Sequence, residues 1–209
     1  IVVSLNKLDL PGFTVKEKDT GIIDLDRSID DVKASFGKTV RNEISRTERD
    51  EKFRFVTTLG SFPDDAYALY AAFERARGAK PFRQETFDGL VYVRGYYDGM
   101  LLACVSAFPS APVARVRSIF SARHTKADPE TYNRIGYASK RAMLEICRWG
   151  IENGRVGVDL ASINMHDDAK SGIVAFKLSF SPRMAREYTY TRRSPLYRLF
   201  EKLRHAFAA

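Results

Sequence analysis

The chain has 209 residues, of which 44% are hydrophobic and 12% aromatic, so it can bury a core and does not resemble a disordered segment. Lysine and arginine number 34 against 26 aspartates and glutamates, and the formal charge of +8 favours anionic partners such as phosphates, nucleic acids or lipid headgroups. No apolar run reaches the roughly 20 residues that cross a bilayer, and no leader pattern opens the chain. We therefore expect a single cytoplasmic domain over residues 1–209.

The N-terminal quarter predicts two strands followed by a helix. The first strand ends at a Pro-Gly turn (residues 11–12), and the second lies near residues 21–25. Ser28 is a typical helix N-cap with an acidic residue, Asp31, three positions later, and apolar residues then recur every three or four positions. We therefore expect one amphipathic helix over residues 29–49.

The middle of the chain predicts a β-rich region. A strand over residues 53–59 and a helix that begins after Pro63 come first. Two runs rich in β-branched and aromatic residues then flank Asp98-Gly99, a dipeptide that tolerates the positive φ angles of a tight hairpin turn. A further strand of the same sheet is expected over residues 113–122.

The last third alternates between helix and strand. Apolar periodicity predicts a helix over residues 132–153 and then a strand over residues 156–161. A polar loop, a short helix from Gly172 and a strand over residues 187–193 follow, with a final helix from Pro195. Because two helix-then-strand units follow an antiparallel hairpin, we expect an α/β fold with a mixed sheet.

The terminal segment, residues 195–209, predicts a basic amphipathic helix. Its apolar residues lie on one helical face, and Arg198, Lys202 and Arg204 lie largely on the other. Such a helix either docks on its own domain or lies on anionic lipid at the inner face of the membrane. Both interpretations are open at this stage.

The cysteines and histidines do not indicate a metal site. Cys104 and Cys147 lack CxxC spacing, and each lies in an apolar run, which favours buried thiols. Three scattered histidines show no zinc-ligand spacing. We expect no metal.

The order of elements resembles the core of the GNAT superfamily of N-acyltransferases: a hairpin, a long strand, a helix that opens near a glycine, and then strand, helix and strand. The resemblance implies a mixed, largely antiparallel central sheet flanked by helices. It also implies a loop of pattern Gln/Arg-x-x-Gly-x-Gly/Ala at the start of the helix, whose amides hold the pyrophosphate of acyl-coenzyme A. The matching residues are Asn133, Arg134, Gly136, Tyr137 and Ala138, with Asn133 in place of Gln or Arg.

The second half of the chain is also similar to the FemABX-like branch of this superfamily, whose members transfer aminoacyl or acyl groups to amines of cell-envelope precursors. The similarity lies in an acidic strand end, residues 158–161, and in the Gly-Ile-x-x-Phe-Lys segment at residues 172–177. An early helix from Ser28 to Ile44 is a further likeness. This chain carries one such module, whereas the envelope aminoacyltransferases carry two.

Three residues are candidates for the chemistry of acyl transfer. The resemblance implies that Lys177 stabilises the oxyanion that forms when an amine attacks the donor carbonyl. Candidates for a general base are His166, which can accept a proton near neutral pH, and Asp159 at the end of a predicted strand. The alternatives are an exposed helix lysine, a solvated loop histidine and a sheet-end hydrogen-bond acceptor, and direct attack without a dedicated base is also open.

Two further pairs are candidates for binding the acceptor. Lys38 and Arg41 lie three residues apart on the predicted helix and could hold a phosphate or carboxylate. Tyr188 and Tyr190 alternate along the last predicted strand, so they share one of its faces. Each pair is alternatively an ordinary surface or packing feature.

Three functions remain open from the sequence. The first is an N-acyltransferase that moves an acyl group from acyl-CoA to a primary amine, such as an amino sugar or another cell-envelope polysaccharide precursor. The second uses aminoacyl-tRNA as the donor. The third is a non-catalytic basic module that binds nucleic acid or anionic membrane lipid. The acceptor class is a small-molecule amine or a sugar-linked amine, and a homo-oligomer is compatible with the sequence.

Overall fold

The computed structural model describes residues 1–124, 128–164 and 171–192. The described strands are β1 (Val2–Ser4), β2 (Thr14–Asp24), β3 (Phe53–Gly60), β4 (Leu90–Tyr97), β5 (Met100–Phe108), β6 (Val113–Ser121), β7 (Gly157–Ser162) and β8 (Arg183–Thr191). The described α-helices are α1 (Ile29–Ser35), α2 (Lys38–Arg49), α3 (Asp64–Ala76), α4 (Pro129–Glu152) and α5 (Ser171–Leu178).

The eight described strands form one sheet in the order β1-β8-β2-β7-β6-β5-β4-β3. Every neighbouring pair is antiparallel except β6 and β7, which run parallel. The predicted fold class, a mixed and largely antiparallel sheet flanked by helices, is confirmed.

The centre of the sheet is buried on both faces because helices cover each side. Val91 and Val93 of β4 belong to the core that contains α1, α2 and α4, whereas Leu90 and Tyr92 belong to a second core under α3. Side chains alternate between the faces of a strand, so both sides of β4 require apolar residues. This explains the unbroken apolar run in that part of the sequence.

The parallel pair β6 and β7 separates along its length. The register joins Val113 to Gly157 and continues only as far as Arg115, which pairs with Asp159. Beyond this point β6 continues to Ser121. The separation opens the middle of the sheet at the C-terminal ends of the two strands.

The predicted hairpin is confirmed, since Asp98 and Gly99 connect β4 to β5 with φ angles of 50° and 79°. The two cysteines are buried free thiols, as expected. β2 and β8 are longer than predicted because they pair with each other over nine residues, from Thr14 to Ile22 on β2. Their cross-strand pairing extends the structure beyond the apolar part of each sequence.

The single helix predicted over residues 29–49 was wrong, because two helices occupy this range. Phe36 has an extended conformation (φ −69°, ψ 155°) and ends α1, and Gly37 is the N-cap of α2. The Gly37 N–H donates to the Ser179 carbonyl at 3.0 Å, and a Cβ at position 37 would lie 2.9 Å from that oxygen. The helix is therefore interrupted by a close approach to a distant segment.

Helix α4 begins three residues earlier than predicted. Asp128 caps it by accepting hydrogen bonds from the N–H groups of Glu130 and Thr131 at 2.9 and 3.0 Å. Pro129 at the first helical position fits this start, since proline needs no amide partner there. The early start changes the environment of the residues predicted to bind phosphate.

In the part of the chain that the structure describes, no helix is both long and apolar enough to cross a membrane. The terminal helix predicted from Pro195 lies outside the described residues. The single-domain boundary of 1–209 stays a prediction.

Candidate functional site

A cleft of about 660 Å³ lies where β6 and β7 separate. Its walls come from β6, the third turn of α4, the end of β7 and α5, together with Phe73 of α3. The described lining residues are Phe73, Val116, Arg117, Ser118, Ile119, Ser121, Arg123, Gly136, Ser139, Lys140, Leu160, Ala161, Gly172, Ile173, Ala175, Phe176, Lys177 and Ser179. We call this the central cleft.

The central cleft is cationic. Among its described lining residues are Arg117, Arg123, Lys140 and Lys177, and none of those lining residues is a carboxylate. Lys140 forms an ion pair with Glu43 of α2, which neutralises it locally. Arg117 and Arg123 lie over the rings of Phe87 and Tyr132, at 5.3 and 4.7 Å between the guanidinium carbon and the ring centroid. The charge in this cleft suits a ligand that carries phosphate or carboxylate groups.

Lys177 is the central residue of the candidate site. Its Nζ donates to the Ser162 carbonyl at 2.9 Å and to the Ala161 carbonyl at 3.4 Å. Burial lowers the pKa of the Lys177 amine, and the nearby Asp159 and Glu187 carboxylates oppose this effect. An ammonium group has three N–H donors, so these two bonds leave one donor for a ligand.

A buried ionic network lies next to Lys177. Arg115 bridges two carboxylates, forming an ion pair with Asp159 through Nη1 and with Glu187 through Nη2, the latter at 2.7 Å. The side chains of Asp159 and Glu187 are 4% and 2% exposed, so both charges are removed from water. Thr189 donates a further hydrogen bond to Glu187 at 3.2 Å.

Both carboxylate oxygens of Asp159 are occupied. Oδ2 accepts from Arg115, while Oδ1 accepts from the Thr20 hydroxyl and from the Ala161 N–H, the last at 2.8 Å. Asp159 is not among the described residues that line the central cleft. A role for Asp159 as a base stays a prediction that these contacts do not favour.

A second cleft of about 670 Å³ lies on the other side of Lys177. It is formed by the N-terminal half of β2, the end of β7 and α5. Its described lining residues are Lys16, Glu17, Lys18, Asp19, Ser162, Ile163, Asn164, Ile173, Val174, Lys177 and Arg186. Lys177 and Ile173 line both clefts, so the Lys177 side chain lies at the wall between them.

The residues predicted to form a phosphate loop lie inside α4 instead of before it. Their backbone N–H groups fall within the helical span, where each donates to the carbonyl four residues earlier. Gly136 faces the central cleft, next to the Arg123 guanidinium, and Ala138 is buried against Gly95. The expectation of a free amide loop at residues 133–138 was therefore wrong, while donor binding by their side chains stays a prediction.

Three of these residues lie at a different surface. Asn133, Arg134 and Tyr137 line a groove of about 460 Å³ between α2 and α4, together with Arg46 and Arg49. Arg46 donates to the Tyr137 hydroxyl at 2.7 Å. The structure therefore separates the predicted set between two surfaces of α4.

Lys38 and Arg41 do not line the clefts described above. Arg41 donates through Nη1 to the carbonyls of Phe36 and Ala34, which are the free carbonyls at the end of α1. Lys38 is exposed at the first position of α2. Acceptor binding by this pair stays a prediction, with the Arg41 guanidinium already used to stabilise the helix junction.

Tyr188 and Tyr190 share one face of β8, as predicted, but that face is opposite Glu187. Tyr190 is fully buried, and its hydroxyl accepts a hydrogen bond from the Leu8 N–H. Neither residue lines the central or the second cleft. Their predicted contact with an acceptor is untested. His166 lies outside the described residues.

The sequence interpretation missed Arg115, Arg117 and Arg123. The signal was present for Arg115, because this arginine lies between apolar residues in a strand at the centre of the sheet. A charged residue in such a strand destabilises the fold through lost hydration, unless the charge is paired or serves a function. The partners themselves could not be read from the pattern, since Asp159 and Glu187 lie on other strands.

No family model matches the sequence, and no curated protein is similar to it at a significant level. Solved structures are similar in fold. FemX superposes with a TM-score of 0.63 at 11% identity, over 91% of this chain and 68% of that chain. A C-terminal DUF2156 domain assigned to a lysylphosphatidylglycerol synthetase of Agrobacterium fabrum gives 0.59 at 15% identity. L-PGS from Bacillus licheniformis gives 0.57 at 15% identity.

The chain covers only part of these neighbours. The superposition with the Agrobacterium and Bacillus proteins uses 88% of this chain but 62% and 63% of theirs. At such low identity the similarity concerns the fold. The chain therefore shares its fold with FemX and with these two bacterial proteins.

Proposed function

We propose that the chain is a transferase that moves an acyl group from an activated, phosphate-bearing donor to an amine. The observation that carries the proposal is the central cleft, which combines the cations Arg117 and Arg123 with the Lys177 amine at its inner wall. The fold supports the same class, because the neighbours named above include FemX and a domain assigned to a lysylphosphatidylglycerol synthetase.

Lys177 supplies the electrostatic part of the reaction. When the acceptor amine attacks the donor carbonyl, negative charge develops on the carbonyl oxygen, and the free N–H of the Lys177 ammonium stabilises it. The lowered pKa of Lys177 also makes its proton easier to release. As the bond to the acyl carbon breaks, Lys177 gives a proton to the departing oxygen or sulfur atom, and the resulting neutral amine takes up the proton that the newly acylated nitrogen loses, which restores the ammonium.

The two clefts provide separate places for donor and acceptor. The central cleft has the charge that a donor phosphate needs. The second cleft carries both signs, with Lys16 and Lys18 beside Glu17 and Asp19. Since Lys177 lines both, a donor in one and an acceptor in the other would meet at its amine.

Our proposal for the donor rests on the groups that could hold its phosphates. The amides of residues 133–138 are used inside α4, so recognition of a coenzyme A pyrophosphate by a backbone loop has no groups there. Among the described lining residues, Arg117 and Arg123 offer side-chain cations to donor phosphates instead. This favours aminoacyl-tRNA, the alternative donor, over acyl-CoA, because tRNA presents its 3′ end beside a phosphodiester backbone that side chains can contact.

Donor binding tests the proposal. We would measure calorimetric affinity for acetyl-CoA and for an aminoacylated RNA minihelix in wild type, Arg117→Glu and Arg123→Glu. Arg75→Glu, an exposed arginine on α3, is the matched control. Loss of one charge-assisted contact should weaken binding at least tenfold, since such hydrogen bonds contribute about 1.5–3 kcal/mol.

The results of the binding experiment distinguish a donor site, a binding module and a wrong proposal. Binding that both cleft variants weaken and the control retains supports the donor site, and the ligand that binds identifies the donor class. Acyl transfer to a panel of amines would be measured by mass spectrometry. If the donor binds but no amine is acylated, the chain is a binding module. If neither donor binds wild type, the proposed function is wrong.

A further inference from the structure

The strand β7 contains a bulge next to Lys177. Its pairing with β2 steps from Ile22 opposite Asp159 to Thr20 opposite Ser162, so β7 has one residue more than β2 across this interval. Ala161 lies within the bulge at φ 60°, a left-handed conformation that alanine adopts at a cost. Bulges of this kind redirect groups at the end of a strand.

The bulge presents two carbonyl groups to one amine. The Ala161 and Ser162 carbonyls both accept from Lys177 Nζ. In a regular strand consecutive carbonyls point in opposite directions, so they would not converge on the same donor. The left-handed turn at Ala161 is what brings them together.

Asp159 stabilises this conformation through hydrogen bonds. Its Oδ1 accepts the Ala161 N–H within the bulge and also the Thr20 hydroxyl from β2. Its Oδ2 is fixed by Arg115 on β6, which is fixed in turn by Glu187 on β8. As whole residues, backbone included, Thr20, Asp159 and Glu187 are 0%, 3% and 1% exposed, so water does not compete for these bonds.

We propose that Asp159 is a positioning residue, which holds the bulge at residues 159–162 in the conformation that directs the Ala161 and Ser162 carbonyls to Lys177. Thr20 and Arg115 fix the Asp159 carboxylate, and the carbonyl groups of the bulge fix the Lys177 amine. The catalytic consequence rests on the proposed function. The geometry does not, and it can be measured without a substrate.

The test is the reactivity of the Lys177 amine toward N-hydroxysuccinimidyl acetate across pH, quantified by peptide mass spectrometry. Thr20→Val removes the hydroxyl from Asp159 without changing any charge, and Thr20→Ser keeps it as the matched control. Lys80, an exposed residue without an ion pair among the described contacts, is the internal reference in every sample. Circular dichroism checks that each variant is folded.

We expect Lys177 to acetylate more slowly than Lys80 in wild type and in Thr20→Ser. In Thr20→Val the ratio should rise about fivefold, the factor that corresponds to the loss of one hydrogen bond of about 1 kcal/mol. Asp159→Asn should raise it at least as much. A Lys177 to Lys80 ratio that stays within twofold of wild type in folded Thr20→Val and Asp159→Asn would overturn the inference.

The result is independent of catalysis. If wild type transfers no acyl group but the reactivity ratio changes as expected, the positioning stands and the proposed function fails. If transfer occurs and the ratio does not change, the function stands and Asp159 has another role. Should Asp159→Asn not fold, the Thr20 pair still decides.

Discussion

Replacing Arg115 with methionine should strongly destabilise the fold, because this residue is the shared counter-charge of two buried carboxylates. Asp159 and Glu187 have side chains only 4% and 2% exposed, and Arg115 contacts both. Methionine matches much of the aliphatic volume but supplies no charge. The variant would therefore keep the packing and leave two anions in a site without water.

The magnitude follows from measurements on other buried pairs. Removing one partner of a buried ion pair typically costs about 3–5 kcal/mol, since the remaining charge stays desolvated. A domain of this size loses roughly 2–4 °C of Tm for each kcal/mol, so the expected decrease is about 6–20 °C. The assay is thermal and urea unfolding followed by circular dichroism.

Two controls make the prediction specific. Arg186→Met breaks an exposed ion pair with Asp19, in which the Arg186 side chain is 62% and the Asp19 side chain 45% exposed. This variant should lower the free energy of unfolding by no more than about 1 kcal/mol. The triple variant Arg115→Met, Asp159→Asn, Glu187→Gln removes the buried charges together and should recover most of the loss. A cost below about 1 kcal/mol for Arg115→Met alone would refute the argument that the network is a desolvated ionic site.

Two further predictions concern Gly95 and Lys177. Gly95→Ala would place a Cβ 2.8 Å from the Phe55 ring and 3.3 Å from the Ala138 Cβ. Because this crowds a packed core, the free energy of unfolding should fall by about 1–3 kcal/mol, measured by urea titration. Gly99→Ala is the comparison, since that glycine has no neighbour within 4 Å of an added Cβ and its substitution strains only the turn. Burial lowers the pKa of Lys177 in the folded chain, so the unfolded chain binds more protons between that pKa and the ordinary value of about 10.4. Wild-type stability should therefore rise with pH in this window. Lys177→Met should be more stable than wild type at neutral pH, with the difference shrinking toward pH 10; an equal slope in both proteins would contradict the assignment.

The parts of the fold that could be predicted from sequence are those fixed by local patterns. Asp98 and Gly99 adopt the positive φ angles that the dipeptide indicated, and the strands on either side pair as a hairpin. The helix after Pro63 is also local, since α3 begins at the next residue. These elements depend on neighbours in the chain, which the sequence displays directly.

The errors arise where distant segments meet. Gly37 interrupts a continuous helical pattern because Ser179 approaches it from the other end of the chain. The alternation of Tyr188 and Tyr190 was visible, and their contact with an acceptor stays a prediction, since Arg186 on the same face of β8 lines the second cleft. A periodic pattern gives the spacing of side chains and not the side on which the site lies.

The candidate site was predicted only in part. The family resemblance directed attention to Lys177, and the structure places its amine between two clefts. The left-handed turn at Ala161 and the convergence of Arg115, Asp159 and Glu187 are long-range features of sheet register. They have no signature in a single sequence.

The most direct test of the central claim is single-turnover acyl transfer by Lys177→Met, using the donor that binds and its best amine acceptor, with Lys80→Met as control. We expect the transfer rate to fall by about 10²–10³, the loss seen when one oxyanion donor is removed, while the donor Kd changes little. Lys80→Met should behave as wild type. If Lys177→Met transfers the acyl group at the wild-type rate, Lys177 does not carry the chemistry and the account is wrong.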